Sequence, residues 1–188
     1  MNQSTFTEND SMQVIQEMIA NAKKDVRNDR FYYLIWGWLT LTASLGHFVL
    51  LKIGYEHPYI VWLLMILGGV ASFFRARKHK RDSRVKTYVD RFIGNLWIAV
   101  SAGILISLVA AATKVGYDIA YPFLIVLFGV GTYMSGVIFK FRPLMIGGIL
   151  NWLIALTAFY VSFDIQLLLL ALSMIVSYLI PGYLVKAS

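Results

Sequence analysis

The sequence contains no cysteine and few charged residues. Without cysteine the chain forms no disulfides, no thiolate metal sites and no cysteine nucleophile. Charged residues make up 14% of the 188 residues, against about 25% in soluble domains, and 59% of the residues are hydrophobic. A soluble domain of this size could not bury so much apolar surface in one core. We therefore predict that much of the chain faces lipid.

Acidic residues are missing from the long apolar runs. A polar stretch over residues 1–30, without signal-peptide features, precedes six such runs. The runs cover 31–51, 59–74, 92–113, 119–139, 144–163 and 165–185. Five of them have 20–22 residues, enough to cross a hydrocarbon core of about 30 Å, and the second has 16. We predict an all-α integral membrane protein whose region 31–188 forms six transmembrane helices arranged as three hairpins.

The distribution of the 17 basic residues predicts the orientation. With six spans, 15 of them lie on the side of the N-terminus, and only Lys52 and Lys114 lie on the other side. Cytoplasmic loops of membrane proteins carry such an excess of Lys and Arg. We therefore expect both termini in the cytoplasm. The net charge of +7 then reports topology, and no nucleic-acid partner is predicted.

Residues 1–30 form a predicted cytoplasmic amphipathic helix. Met12, Ile15, Ile19, Ala22 and Val26 recur at spacings of three and four residues, which places them on one helix face. That face could lie on the membrane surface, pack under the bundle, or bind another chain. A homo-oligomer or a second membrane protein is therefore a predicted partner, beside the bilayer itself.

The polar segment between the second and third runs is strongly basic. Such clusters next to a membrane attract anionic lipid headgroups, at roughly 1 kcal/mol per Lys or Arg. We predict contact with anionic lipid or with an acidic partner at Arg75, Arg77, Lys78, Lys80, Arg81, Arg84 and Lys86.

Few polar side chains occur inside the predicted spans. Thr40, Ser44 and His47 share a face of the first helix, and Asn95 and Asn151 are the strongly polar positions of the third and fifth. Polar groups within a membrane face the bundle interior and need partners. These five residues are predicted to form an intramembrane polar face. Such a face could line a small cavity, bind a ligand, or hydrogen-bond the helices together.

Catalytic motifs are absent from the sequence. It has no nucleophile elbow, no P-loop, no dinucleotide fingerprint and no His-Glu-x-x-His pattern. All ten acids lie in the tail, in loops or at span edges, which disfavours proton-coupled transport. We predict that the protein is not an enzyme and that it has no metal site and no cofactor. Only His57 with Glu56, or His79 with Asp82, could support a lipid-modifying reaction.

An internal repeat is predicted over the first two hairpins. The sequence Asp-Arg-Phe at 29–31 recurs at 90–92, and the same offset of 61 places Trp36 on Trp97. At an offset of 60, Leu-Gly-Gly-Val at 67–70 corresponds to Leu-Phe-Gly-Val at 127–130. These matches suggest two copies in parallel orientation. The third hairpin shows only a weak sequence similarity to the first two.

Three segments carry a resemblance to a known family. Residues 12–31 lead into Trp-Gly-Trp-Leu at 36–39, followed by YIVWLLMILGGVAS at 59–72 and by Val-Lys-Thr at 85–87 before Asp-Arg-Phe. Over about the first 100 residues the chain resembles a family of small, uncharacterised bacterial inner-membrane proteins. The resemblance implies a location in the bacterial cytoplasmic membrane and carries over no catalytic or binding residue.

Together these features predict a non-enzymatic membrane protein that acts through protein or lipid interaction, as a regulatory or sensory subunit. The alternative is a channel or transporter for a small uncharged solute or for a lipid. The repeat and the intramembrane polar residues motivate that alternative.

Overall fold

The computed structural model describes residues 8–82 and 88–185, with backbone alone at 8–29, 79–82, 88, 90, 114 and 115. These residues form helices and turns, and no strand occurs within the described ranges. The described residues contain seven α-helices: α1 Glu8–Lys52, α2 Leu64–Asp82, α3 Tyr88–Ala110, α4 Tyr117–Ile138, α5 Arg142–Ala158, α6 Phe163–Met174 and α7 Ile180–Leu184. A 3₁₀ helix, Pro58–Leu63, precedes α2, and π-helical turns occupy Ala111–Val115 and Ile175–Leu179. The all-helical architecture is confirmed.

Within the described part of the chain, five helical stretches are long and apolar enough to cross a membrane. They are Arg30–Lys52, Pro58–Lys78, Arg91–Thr113, Tyr117–Ile138 and Phe163–Leu184. The fifth predicted run is shorter than expected, because α5 spans 17 residues and rises only about 25 Å. Its chain turns at 159–162 instead of continuing to 163. The second run is longer than predicted, because α2 continues through Arg75 and Arg77 to Asp82.

Helix α1 differs from the predicted division at residue 30. It runs without a break from Glu8 to Lys52, so the N-terminal segment and the first apolar run form one helix of 45 residues. Residues 8–36 contain neither glycine nor proline, and nothing in that stretch ends a helix. The predicted apolar stripe from Met12 to Val26 lies outside the described side chains.

The helices differ strongly in burial. Helices α4 and α5 pack along each other, α1 packs on α6, α2 packs on α1, and α3 packs on α4. We compared the buried share of the most apolar stretch of each span. It is 56% for the span that contains α6, but only 6% for that of α2 and 11% for that of α3. The interior is therefore formed by α1, α4, α5 and α6, with α2 and α3 at the periphery.

Glycines allow the α4 and α5 backbones to approach closely. A Cβ added at Gly136 would lie 2.6 Å from the Met145 backbone nitrogen, and one added at Gly148 would lie 2.6 Å from Cβ of Tyr133. Any larger residue would push the two helices apart. Small residues at helix contacts are typical of packing in lipid, where close backbone approach replaces the hydrophobic driving force.

The turns of the first two hairpins repeat the same sequence. Lys-Ile-Gly-Tyr-Glu at 52–56 corresponds, at an offset of 62, to Lys-Val-Gly-Tyr-Asp at 114–118. Both glycines adopt the positive φ that other residues avoid, 74° at Gly54 and 87° at Gly116. The turn before α6 has Ser162, with φ −65°, at the position of these glycines, so it does not adopt the left-handed conformation. The related turn is therefore limited to the first two hairpins.

A tryptophan packs on a glycine in each of the first two hairpins. A Cβ added at Gly68 of α2 would lie 3.3 Å from the six-membered ring of Trp36, and one added at Gly131 of α4 would lie 3.0 Å from that of Trp97. The two tryptophans are 61 residues apart, as the predicted repeat requires, but the two glycines are 63 residues apart and are not equivalent in it. The two contacts are therefore similar in kind without matching position by position.

Two helices end in Schellman motifs with different residues at the left-handed position. At the end of α1, the amide of Tyr55 donates to the Leu50 carbonyl (3.0 Å) and the left-handed residue is Gly54. At the end of α4, the amide of Phe141 donates to the Gly136 carbonyl (2.9 Å) and the left-handed residue is Lys140, with φ 53°. A lysine side chain makes this conformation costly.

We expect Lys140→Gly to stabilise the protein by about 1 kcal/mol, because glycine adopts the left-handed conformation without steric cost. The melting temperature of the purified protein should rise by roughly 2–4 °C. Lys140→Ala, which removes the charge but retains a Cβ, is the control and should give no increase. An equal increase in both variants would contradict the backbone explanation.

Candidate functional site

Three of the five predicted intramembrane polar residues lie together on α1 and are buried. Thr40 contacts the Met65 sulfur of α2 at 3.9 Å. Ser44 donates a hydrogen bond of 2.6 Å to the Leu167 carbonyl of α6. His47, 6% exposed, lies one turn further along. These side chains connect α1 to both of its neighbours.

His47 belongs to a closed ring of four aromatic side chains, which we call the aromatic ring cluster. Its members are His47 of α1, Trp62 of the 3₁₀ helix, Tyr121 of α4 and Phe163 of α6. Successive edge-to-face pairs have centroid distances of 6.3 Å (His47–Trp62), 6.0 Å (Trp62–Tyr121), 5.1 Å (Tyr121–Phe163) and 5.6 Å (Phe163–His47). Such pairs add roughly 0.5–1.5 kcal/mol each beyond area burial. The cluster joins all three hairpins at one end.

The tautomer of His47 follows from its partner. The indole Nε1 of Trp62 lies 2.9 Å from His47 Nδ1, and an indole nitrogen can only donate. Nδ1 therefore accepts the bond and carries no proton. Protonation at Nδ1 would remove the acceptor and break this hydrogen bond between α1 and the 3₁₀ helix.

Gln166 makes hydrogen bonds to three segments at the same end of the bundle. Its Nε2 donates to the carbonyls of Asp118 (2.7 Å), Ala158 (3.1 Å) and Val161 (3.3 Å). These carbonyls belong to the start of α4, the end of α5 and the following turn. The end of α5 leaves the Ala158 carbonyl without an intrahelical donor, and the Asp118 carbonyl lacks one because the residue four positions on is Pro122. One buried side chain thus supplies donors to both.

The two asparagines have different environments. Asn151 is fully buried in α5, and its Nδ2 donates to Ser177 Oγ at 3.1 Å. Asn95 lies on an exposed part of α3. The structure therefore brings Thr40, Ser44 and His47 together, places Asn151 in a separate polar contact, and leaves Asn95 apart from both.

At the end of the bundle opposite the aromatic ring cluster, two arginines lie over aromatic rings. Arg75 Cζ lies 5.2 Å from the centroid of Phe31, and Arg77 Cζ lies 4.4 Å from that of Phe73. Lys78 is exposed beside them. The remaining predicted contact residues, Lys80, Arg81, Arg84 and Lys86, lie outside the described side chains.

Arg75, Arg77 and Lys78 form no ion pair within the described side chains. Among the side chains that the structure describes, the one ion pair is Lys52 with Asp164 at 2.6 Å, at the opposite end. It joins α1 to α6 on an exposed surface, where such pairs contribute little stability. No group of three His, Asp or Glu that could hold a metal occurs within the described part of the chain.

The sequence analysis did not identify several residues that hold the helices together. Gln166 sits at the edge of the last apolar run, and its amide function could have identified it. Trp62, Tyr121 and Phe163 have no such sequence signal, because residues far apart in sequence meet only after the hairpins pack.

The geometry defines an all-helical bundle with five helices long enough to span a membrane and a shorter sixth. Comparison with protein-family models, with curated proteins and with solved structures finds no match.

Removal of the indole N–H should weaken the aromatic ring cluster. We expect Trp62→Phe to destabilise the protein by about 1–3 kcal/mol, because His47 Nδ1 would lose its donor while the ring contacts remain. Trp38→Phe is the matched control, since its Nε1 donates to the exposed hydroxyl of Tyr183 at 3.0 Å. Thermal unfolding measures both, and equal losses would argue against a special role of the buried bond.

Gln166→Met should leave three carbonyls without their shared donor. We expect a loss of about 1–3 kcal/mol, measured as a lower melting temperature in the same detergent. Thr113→Val is the control, because that exposed hydroxyl bonds only carbonyls of its own helical segment. A neutral Gln166→Met variant would show that water replaces the amide.

Proposed function

We propose that the chain is a non-enzymatic integral membrane protein that acts through binding at its basic end, with anionic lipid headgroups as the first ligand. In this proposal six helices span the bacterial cytoplasmic membrane, both termini are cytoplasmic, and the protein serves as a regulatory or sensory subunit. The observation that carries it is the pair of arginines, Arg75 and Arg77, that lie over aromatic rings and form no ion pair with any carboxylate among the described side chains.

The contact with an aromatic ring orients the arginine side chain. The Arg75 guanidinium lies over the face of Phe31, and this cation–π contact uses the charge of the group and not its N–H donors. The planar fork of arginine suits bidentate contact with phosphate oxygens. Because Arg75 is on α2 and Phe31 is on α1, a headgroup bound here would contact the junction of the two helices.

The peripheral helices supply a second surface for interaction. Helices α2 and α3 bury little of their surface inside the bundle, so most of each faces lipid or another membrane helix. A second copy or another membrane protein could bind there without any rearrangement of the interior. The basic end of α2 would then lie beside the partner.

Matched single substitutions test the headgroup site. We expect Arg75→Gln to lower the enrichment of phosphatidylglycerol around the protein roughly five-fold, since one cation near a membrane surface contributes about 1 kcal/mol. Arg142→Gln is the control, because Arg142 is an exposed cation in the first turn of α5. Lipids co-extracted in polymer-bounded discs from vesicles of phosphatidylcholine and phosphatidylglycerol give the enrichment.

Equal losses in the two variants would indicate diffuse attraction and would contradict a site at the α1–α2 junction. Absence of enrichment around the unmodified protein would contradict lipid binding altogether. In that case, crosslinking in native membranes would test the protein-partner form of the proposal.

A further inference from the structure

The aromatic ring cluster contains a histidine that lies close to one end of the bundle. His47 is 6% exposed and precedes Lys52, the last residue of α1, by five positions, which is about 7.5 Å along the helix. Its Nδ1 accepts from Trp62 Nε1 at 2.9 Å, so the neutral ring carries its proton on Nε2. Histidine ordinarily changes its charge between about pH 5 and 8. This hydrogen bond is therefore open to protonation at ordinary pH.

Protonation of His47 brings two donors face to face. The second proton of the imidazolium occupies Nδ1, where it meets the N–H of Trp62. A rotation of the ring does not relieve the conflict, because both ring nitrogens then carry hydrogen. The bond between the two side chains is therefore lost whenever His47 is charged.

The surroundings offer the charged ring no carboxylate. The titratable or charged side chains at this end, on α1, the 3₁₀ helix and its approach, α4 and α6, are Lys52, Glu56, His57, Tyr59, Tyr117, Asp118, Tyr121 and Asp164. Asp164 follows the Phe163 ring but is already paired with Lys52 at 2.6 Å. No ion pair to His47 occurs among the side chains that the structure describes. A charged imidazole would thus lie among uncharged rings, which is costly without a partner.

The Trp62 indole has a second acceptor within reach. The Tyr121 hydroxyl of α4 lies within hydrogen-bonding range of Trp62, and the centroids of the two rings are 6.0 Å apart. When His47 is charged, the indole N–H can donate to that hydroxyl instead. The same indole therefore has two discrete arrangements, one bonded to α1 and one bonded to α4.

The 3₁₀ helix Pro58–Leu63 depends on few contacts with α1. None of its six residues is buried. Besides the bond of Trp62, Val61 packs on Gly46 of α1, where an added Cβ would lie 3.3 Å from Val61 Cγ1. The span that this helix begins, Pro58–Lys78, has only 6% of its most apolar stretch buried. Loss of the bond to His47 therefore acts on a weakly held segment.

We propose that His47, Trp62 and Tyr121 form a pH-sensitive switch, in which protonation of His47 redirects the Trp62 N–H to the Tyr121 hydroxyl and loosens the 3₁₀ helix from α1. With both termini in the cytoplasm, as proposed above, the switch responds to protons outside the cell. Only that assignment of side rests on the proposed function. The proton response itself is measured in detergent and does not depend on orientation or on lipid binding at the basic end.

The indole N–H resonances report the switch in the unmodified protein. The chain has five tryptophans, and isotopic labelling of tryptophan nitrogen gives one indole signal for each. Between about pH 8 and 5 we expect the Trp62 signal to move upfield, since a hydroxyl is a weaker acceptor than an imidazole nitrogen. The Trp36 indole, which donates to Ser72 Oγ at 3.1 Å, is the internal control and should not move. A Trp62 signal that stays in place would overturn the proposal.

Two histidine variants identify the titrating group. His47→Asn retains an acceptor near the position of Nδ1 but does not titrate, so the Trp62 signal should become independent of pH. His57→Gln is the matched control, because His57 adjoins the same 3₁₀ helix but is exposed and bound to the Tyr59 hydroxyl at 3.0 Å. Its Trp62 signal should move as in the unmodified protein. A shift that persists in His47→Asn, or that disappears in His57→Gln, would assign the response to another group and contradict the proposal.

A disulfide tests whether the 3₁₀ helix loosens. A Cβ at position 46 would lie 3.7 Å from the Cβ of Val61, close to the separation of about 3.8 Å in disulfides, and the chain has no cysteine of its own. In the unmodified protein and in reduced Gly46→Cys/Val61→Cys, acidification to about pH 5 should raise amide hydrogen exchange over 58–63 several-fold beyond the intrinsic effect of pH. The oxidised variant should show no such rise. Unchanged protection in the unmodified protein would contradict the loosening.

Discussion

Hydrogen bonds made inside the bundle by α6 and the turn that follows it hold the other helices in place. The Leu167 carbonyl accepts from Ser44 of α1, Gln166 binds carbonyls of α4 and of the α5 end, and Ser177 accepts from Asn151. In a hydrocarbon environment no solvent competes for these groups, and an unmade bond is costly. The arrangement of α1, α4 and α5 therefore depends on one central element whose polar groups each select a partner.

Much of the helical architecture could be predicted from sequence, because a membrane requires long apolar runs and a turn requires glycine or polar residues. The end of α5 at Ala158 could not, since the sequence stays apolar through Phe163 and the turn forms where Gln166 can reach its carbonyls. Likewise, nothing local predicts that His47 meets Trp62 and Phe163. The sequence predicts that Ser44 and Asn151 face the bundle interior. Their partners, Leu167 and Ser177, could not be predicted, because they depend on how the hairpins pack against one another.

The three hairpins differ in their turns but all contribute polar groups to the interior. The first two have a left-handed glycine in the turn, Gly54 and Gly116, whereas the third has none within its described residues. Buried polar side chains come from each hairpin, with Ser44 from the first, Thr132 from the second and Asn151 from the third. The helices α2 and α3 of the first two hairpins bury little surface. The basic residues at the end of α2 therefore lie on a peripheral helix, away from the polar interior.

The long sequence separation of the central contacts has a consequence for biogenesis. Ser44 and Leu167 are 123 residues apart, and Trp38 and Tyr183 are 145 residues apart. Because synthesis proceeds from α1 to α6, the Ser44 hydroxyl cannot donate to the Leu167 carbonyl until most of the chain has been made. In an apolar environment a hydroxyl without a partner is costly. The contact between α1 and α6 therefore forms late, after the first two hairpins have been translated.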